Sequence, residues 1–336
     1  MSSRADASQT VSARTVRMLR TAMGPAIAGL LDEPDVAEVM LNPDGRLWVD
    51  RLGSGIADTG SRLSPADGER IIQLVAHHVG AEVHPLSPRV SAELPETGER
   101  FEGLVPPLVL GPAFAIRKPA VAVFSLDDYV AHGIMTAAEA AALRQAVIDR
   151  DNILIVGGTS TGKTTLANAL LKEMVDSGDR IVLIEDTREL RCEAPNVVAL
   201  RTKDGVASLA DLVRSSLRLR PDRIPIGEVR GREALDLLKA WGTGHPGGVG
   251  TIHAGTAIGA LRRLEQLIQE AVVTVPRALI AETIDLLVVL TGRGAQRRVS
   301  GLWRVAALDE AEDFVVVPVS VGGEGNVVPL NRGHDS

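Results

Sequence analysis

The sequence predicts an α/β protein: a parallel-sheet domain over residues 136–336, a smaller α+β domain over residues 1–122, and a linker over 123–135. Three observations carry this. From Ala137 onward, apolar runs of strand length alternate with amphipathic helical patterns, as in a parallel sheet crossed over by helices. Before that stretch, two strand-like runs flank a turn signal and are followed by a well-capped helix. At 336 residues the chain is also long enough for about two domains.

The elements follow in order. A helical pattern runs from about Val16 to Leu31. "VAEVMLNPDGRLWVD" then gives two β-like runs around Asn42-Pro43-Asp44-Gly45, a hairpin signal. In "SPADGERIIQLVAHHVG", Ser64 is placed to cap a helix, Pro65 fits its first position and Gly80 its end. Residues 82–120 are rich in Pro and Gly and read as strands and loops, and Ser125 caps a short helix. Thr136 and Glu139 form a capping box ahead of "AAALRQAVIDR". Strands are expected at Ile153–Val156, Ile181–Ile184, Val197–Leu200, Ile224–Gly227 and Val249–His253. Helices are expected at Lys163–Asp176, Leu209–Leu219, Arg232–Trp241 and Ile258–Ala271, with antiparallel strands in the tail.

Composition excludes several classes. With 45% apolar and 24% charged residues the chain is an ordinary globular one, not a disordered one. Its longest apolar stretch, "LVPPLVLGPAFAI", is too short and too rich in proline to span a bilayer. No apolar segment follows the basic residues of the N-terminus, so no signal peptide is expected and a cytoplasmic location is. The single cysteine, Cys192, rules out an internal disulfide framework and a cysteine-based zinc site. A net charge of −7 and only eight aromatic residues argue against direct nucleic-acid binding.

The chemistry concentrates in "NILIVGGTSTGKTTLANALL". Gly157, Gly158, Thr159, Ser160, Thr161, Gly162, Lys163 and Thr164 fit G-x-x-x-x-G-K-[ST], with a strand before and a helix after; Thr165 follows in the first turn. In such a loop the amides curl around phosphates at a helix N-terminus, and small residues let the backbone close in. Lys163 would bridge the β- and γ-phosphates of ATP, and the Thr164 hydroxyl would ligate Mg²⁺. Downstream, "RIPIGEVRG" ends an apolar run with Gly227 where an aspartate commonly supports the metal, and Glu228 next. Glu228 is the natural carboxylate to activate the attacking water. Glu185 and Asp186, at the carboxyl end of "IVLIEDTREL", are a second acidic pair where α/β sheets gather ligands. Glu185 is the rival base, and Asp186 either contacts Mg²⁺ or its waters or caps the next turn. His245 and His253 flank the glycine-rich strand of "TGHPGGVGTIHAG", where a histidine could hydrogen-bond a γ-phosphate and report its loss. No Asn-Lys-x-Asp guanine reader is present, which weakens a GTPase reading.

In this order, "GGTSTGKTTL", "IEDTREL" and "LRLRPDRIPIGEVRGREALDLLKAWGTGHPGGVGTIHAGT" resemble the Walker A, Asp box, Walker B and His box of the secretion/traffic ATPases. These power type II secretion, type IV pili and type IV secretion. The likeness is tight from Asn152 to about Arg263 and weaker in "EVMLNPDGRLWVD" and "FAIRKPA"; the N-terminal part looks most like the conjugative-transfer branch. The resemblance implies a RecA-like P-loop NTPase assembled as a homohexameric ring that hydrolyses ATP between its two domains. It implies that Arg117, with Arg100 as a further candidate, would reach bound nucleotide from the N-terminal side, and that Arg230 and Arg232 lie near the site. It also implies partners among the inner-membrane components of a type IV secretion or conjugation complex, with the protein peripheral to that membrane. Ser160 departs from the family's frequent glycine, and the absence of a four-cysteine insertion counts against the type II branch. Three rivals remain: a pilus assembly or retraction ATPase, a nucleotide-bound scaffold with little turnover, and a DNA-translocating motor.

Overall fold

The computed structural model describes residues 2–51, 54–95, 98–119, 124–203 and 205–320. The chain forms two compact units, Met1–Val121 and Ala122–Ser336. The boundary expected at residue 122 falls within 120–123, outside the described residues.

In the first unit, α1 (Ser2–Asp32) is broken at Gly24–Pro25, where Gly24 leaves helical geometry because proline cannot continue the hydrogen-bond ladder. Strands β1 (Val36–Leu41), β2 (Arg46–Arg51) and β3 (Gly55–Arg62) follow, then α2 (Pro65–His78). Strands β4 (Arg89–Glu93), β5 (Arg100–Leu104) and β6 (Ala113–Arg117) complete a six-stranded antiparallel sheet in the order β3-β2-β1-β6-β5-β4. The expected hairpin closes over residues 42–45, and Ser64 caps α2 by accepting from the Asp67 amide at 3.2 Å. Leu19, Met23 and Ile27 of α1 join Ile71, Ile72 and Val75 of α2 in one core with Val39, Leu47, Phe101 and Phe114 of the sheet.

The second unit opens with α3 (Leu126–Ala131) and α4 (Ala137–Ile148), whose capping boxes at Ser125 and Thr136 both form. Then come β7 (Ile153–Gly157), α5 (Lys163–Lys172), β8 (Ile181–Glu185), β9 (Val197–Arg201), α6 (Leu209–Ser216), α7 (Glu233–Gly242) and β10 (Val249–Ile252). The chain ends, among the described residues, with α8 (Ala257–Gln269), α9 (Arg277–Thr283), β11 (Leu286–Thr291), β12 (Arg298–Val305) and β13 (Val316–Pro318). Ile153 and Ile155 face one apolar layer, and Leu154 and Val156 face the other. That is why β7 reads as an unbroken apolar run: a parallel strand covered on both faces needs no polar side.

Three local expectations change. The segment 224–227 is no regular strand. It makes single parallel bridges from Ile226 to Ile184 and to Gly250, because Pro225 in its middle has no amide to donate. Those bridges still join β8 to β10, so the order runs β9-β8, then 224–227, then β10-β7-β11-β12-β13. The helix from Lys163 stops at Lys172 and tightens into a 3-10 turn over Val175–Ser177, closed by Gly178 at φ 73°. The tail strand β11 is antiparallel to β12 but parallel to β7, because α8 and the unanticipated α9 carry the chain back across the sheet. No helix among the described residues is long and apolar enough to cross a membrane.

Candidate functional site

The carboxyl ends of the parallel strands gather most of the residues singled out above. At the end of β7 the chain leaves a fully buried strand, turns through exposed Gly158, Thr159 and Ser160, and starts α5 at Lys163. Gly162 caps that helix at φ +91°, a left-handed conformation that costs glycine nothing. Ser160 also sits at φ +62°, where a side chain is strained by about 1–2 kcal/mol. So the serine in the family's glycine position carries backbone strain. The Thr161 hydroxyl donates to the Gly158 carbonyl at 3.0 Å and ties the turn together.

Lys163 is 8% exposed and folds back over this loop. Its Nζ donates to Gly158 O at 3.0 Å and lies 3.3 Å from His253 Nε2. The same His253 nitrogen is 3.0 Å from Glu228 Oε1. Lysine, histidine and glutamate, 90 residues apart at the extremes of the first pair, thus form one chain of contacts across β7, β10 and the 224–227 segment. Thr164 and Thr165, half-buried, open α5 beside it.

Glu185 ends β8 and is 3% exposed. It accepts from the Glu189 and Leu190 amides at 2.8 and 2.6 Å, and burial pushes its pKa up to about 7. A Cβ on Gly227 would lie 3.5 Å from Glu185 Cγ. The room left by the missing aspartate side chain therefore borders Glu185. Asp186 pairs with Arg230 at 2.6 Å and accepts from the Thr202 hydroxyl at 3.1 Å, so it holds Arg230 in place. Arg232 is the residue just before α7, and the Glu233 carboxylate accepts from the amides of Arg230 and Gly231.

Of the other expected residues, His245 lies elsewhere in the second unit. His245 precedes β10, at the opposite end of that strand from His253, and its Nδ1 is 2.8 Å from the Pro221 carbonyl. The structure does not bring it to the loop. Arg117 and Arg100 belong to the first unit, where they are cross-strand partners on β6 and β5. Among the described residues no cluster of three or more His, Cys, Asp or Glu side chains is arranged to hold a metal.

One residue at this end of the sheet was not anticipated. The hairpin from β11 to β12 passes through a 3-10 turn at Gly294–Gln296 and brings Arg297 onto the phosphate-loop backbone. A Cβ on Gly162 would be 2.9 Å from Arg297 Cζ and Nε. In "GRGAQRRVS" three arginines crowd a glycine-rich turn, and nothing in their spacing tells which one turns inward.

The profile of the family described as "Type II/IV secretion system protein" matches residues 78–303. The chain is 51% identical over 288 residues to the conjugal transfer protein TrbB of Rhizobium radiobacter, covering 85% of this chain and 88% of that one. It is 35% identical over 312 residues to the type IV secretion system protein PtlH of Bordetella pertussis, covering 81% and 91%. The fold is shared with the pilus retraction motor PilT, solved with bound ADP: TM-score 0.57, 20% identity, 88% of this chain and 81% of that one.

Proposed function

This chain belongs to the family of type II/IV secretion system proteins, and on that premise we propose that it is a Mg²⁺-dependent ATP hydrolase of the conjugative type IV secretion branch. Its second unit works as a RecA-like P-loop domain, and the protein acts as a homohexameric ring, peripheral to the cytoplasmic face of the inner membrane. The observation that carries this reading is the contact chain Gly158–Lys163–His253–Glu228, with steps of 3.0, 3.3 and 3.0 Å at the mouth of a strand–loop–helix.

In the mechanism, the amides of the 158–164 turn bind the phosphates, and Lys163 moves its ammonium from the Gly158 carbonyl to the β- and γ-oxygens. Glu228 orients a water in line with the γ-phosphorus and takes its proton, giving ADP and phosphate. Glu185, raised toward neutrality and held by two amides, is the competing base. His253 touches both the lysine and the glutamate and senses whether a γ-phosphate stands between them. The oxygen donors here suit Mg²⁺, which Thr164 and the phosphates would hold and which would spread the charge of the transferred group. Catalysis by position and charge needs no further covalent partner.

The test is phosphate release from Mg-ATP across a protein concentration series, with mass measured by light scattering on the same samples. Activity that rises as a roughly six-fold mass appears supports the ring ATPase. Tight ATP binding without turnover at any mass overturns it in favour of a nucleotide-bound scaffold.

A further inference from the structure

The sheet order gives the site two unlike sides. β7 lies between β10 and β11. On the β10 side stand His253, 3.3 Å from Lys163, and Glu228, 3.0 Å from His253. A γ-phosphate and its attacking water belong there. On the β11 side stands Arg297, its guanidinium laid against Gly162. A nucleoside triphosphate that puts its γ-phosphate toward β10 must carry its nucleoside out toward β11, since the loop grips only the phosphates between.

Arg297 is set up for a ligand on that side. Its Nε is buried and makes no hydrogen bond, so no acceptor among the described residues holds that edge of the guanidinium. The hydroxyl of Tyr129 in the same unit is likewise buried and without a partner, and burial raises its pKa while the Arg297 charge acts in the opposite sense. Tyr129 thus lies within electrostatic reach of Arg297, and Phe124 meets the Tyr129 ring edge-on at 6.1 Å. The hairpin holds Arg297 firmly: Gly292 turns at φ +73°, and a Cβ there would strike the Gln296 carbonyl at 2.1 Å. The phosphates already have Lys163 and the loop amides. A planar guanidinium suits a flat, electron-rich base.

We propose that Arg297 is the nucleoside-side wall of the site, its guanidinium stacking on the purine base of the bound triphosphate. This rests on the nucleotide reading above. The test compares ATP with inorganic tripolyphosphate, which has the phosphates but no nucleoside, by calorimetric titration of the full chain. Arg297→Ala is expected to weaken ATP binding about tenfold and leave tripolyphosphate within twofold. Arg297→Lys, which keeps the charge and loses the plane, is expected to follow alanine. Equal losses for both ligands, or rescue by lysine, would make Arg297 a phosphate cation and overturn the assignment. Unchanged binding of both would make it packing alone and overturn it too. If Arg297→Ala does not fold, Arg297→Lys decides by the same comparison. A wild-type chain that binds neither ligand overturns the nucleotide reading itself, whereas weakened binding of both ligands in Lys163→Ala preserves that reading whatever Arg297 does.

Discussion

His253 Nε2 carries either a proton or a lone pair, so it cannot at once donate to Glu228 and accept from Lys163. The site therefore holds its three central groups in competition, which on the proposed reading a γ-phosphate would resolve by drawing Lys163 away. At this scale the predictions separate binding from chemistry. Lys163→Ala is expected to weaken ATP binding and abolish turnover, read by calorimetry and phosphate release. Glu228→Gln is expected to keep ATP binding and lower turnover by at least a hundredfold, so that ATP is trapped; full turnover in that variant would transfer the base to Glu185. That the 157–164 turn, Glu228, Glu185 and His253 gather at the strand ends was legible in the sequence because each stands at a fixed offset from an apolar strand. Arg297 was not, because its position depends on how a hairpin folds back after β11. His245 looked equivalent to His253, but strand direction puts it at the far end of β10.

The strand that aims the phosphate loop is anchored at its start as well as its end. Asn152, 4% exposed, donates to the Thr283 carbonyl at 2.8 Å and accepts from the Gly247 and Gly248 amides at 3.0 Å each. It thereby fixes α9 and β10 to the base of β7. Asn152→Ala leaves three buried backbone groups unpaired and should cost about 3 kcal/mol, read as a lower urea midpoint with unchanged slope. Asp151, beside it, faces Arg304 of β12 at 2.6 Å, yet burial raises its pKa to about 6, against the pull of Arg304 and with repulsion from Asp285 and Asp149. A raised carboxylate favours the fold while protonated. Its contribution is full below about pH 4 and is lost as pH climbs through 6. From pH 4 to pH 7 the wild type should therefore lose about 2 kcal/mol of stability relative to Asp151→Asn, measured by denaturant unfolding at each pH. Neither role could be read from the sequence, where "RDNILIV" looks like a polar turn before a strand. The hydrogen-bond partners of Asn152 lie 95 to 133 residues away.

At the scale of the whole chain, each unit has its own core, and the turn between β7 and α5 belongs to the second. Saturating ATP at a hundred times its dissociation constant should stabilise that second unit by about 2.7 kcal/mol. Slower amide exchange across β7 and α5 would register the effect, and Lys163→Ala should abolish it. Equal exchange with and without ATP in the wild type would remove the nucleotide from this site. By itself the sequence determined the α/β class, most of the strands and helices, their caps, and the loop with its lysine and glutamate. All of these rest on interactions within a few residues or on the period of burial, which local order encodes. Only the tertiary structure decided that 224–227 bridges two strands without becoming one, that β11 runs parallel to β7, that Glu185 lies against Gly227, and that Arg297 rather than a neighbouring arginine meets the phosphate loop. Each of those is a long-range pairing, set by which strand lies beside which and in which direction, and no stretch of sequence carries that alone.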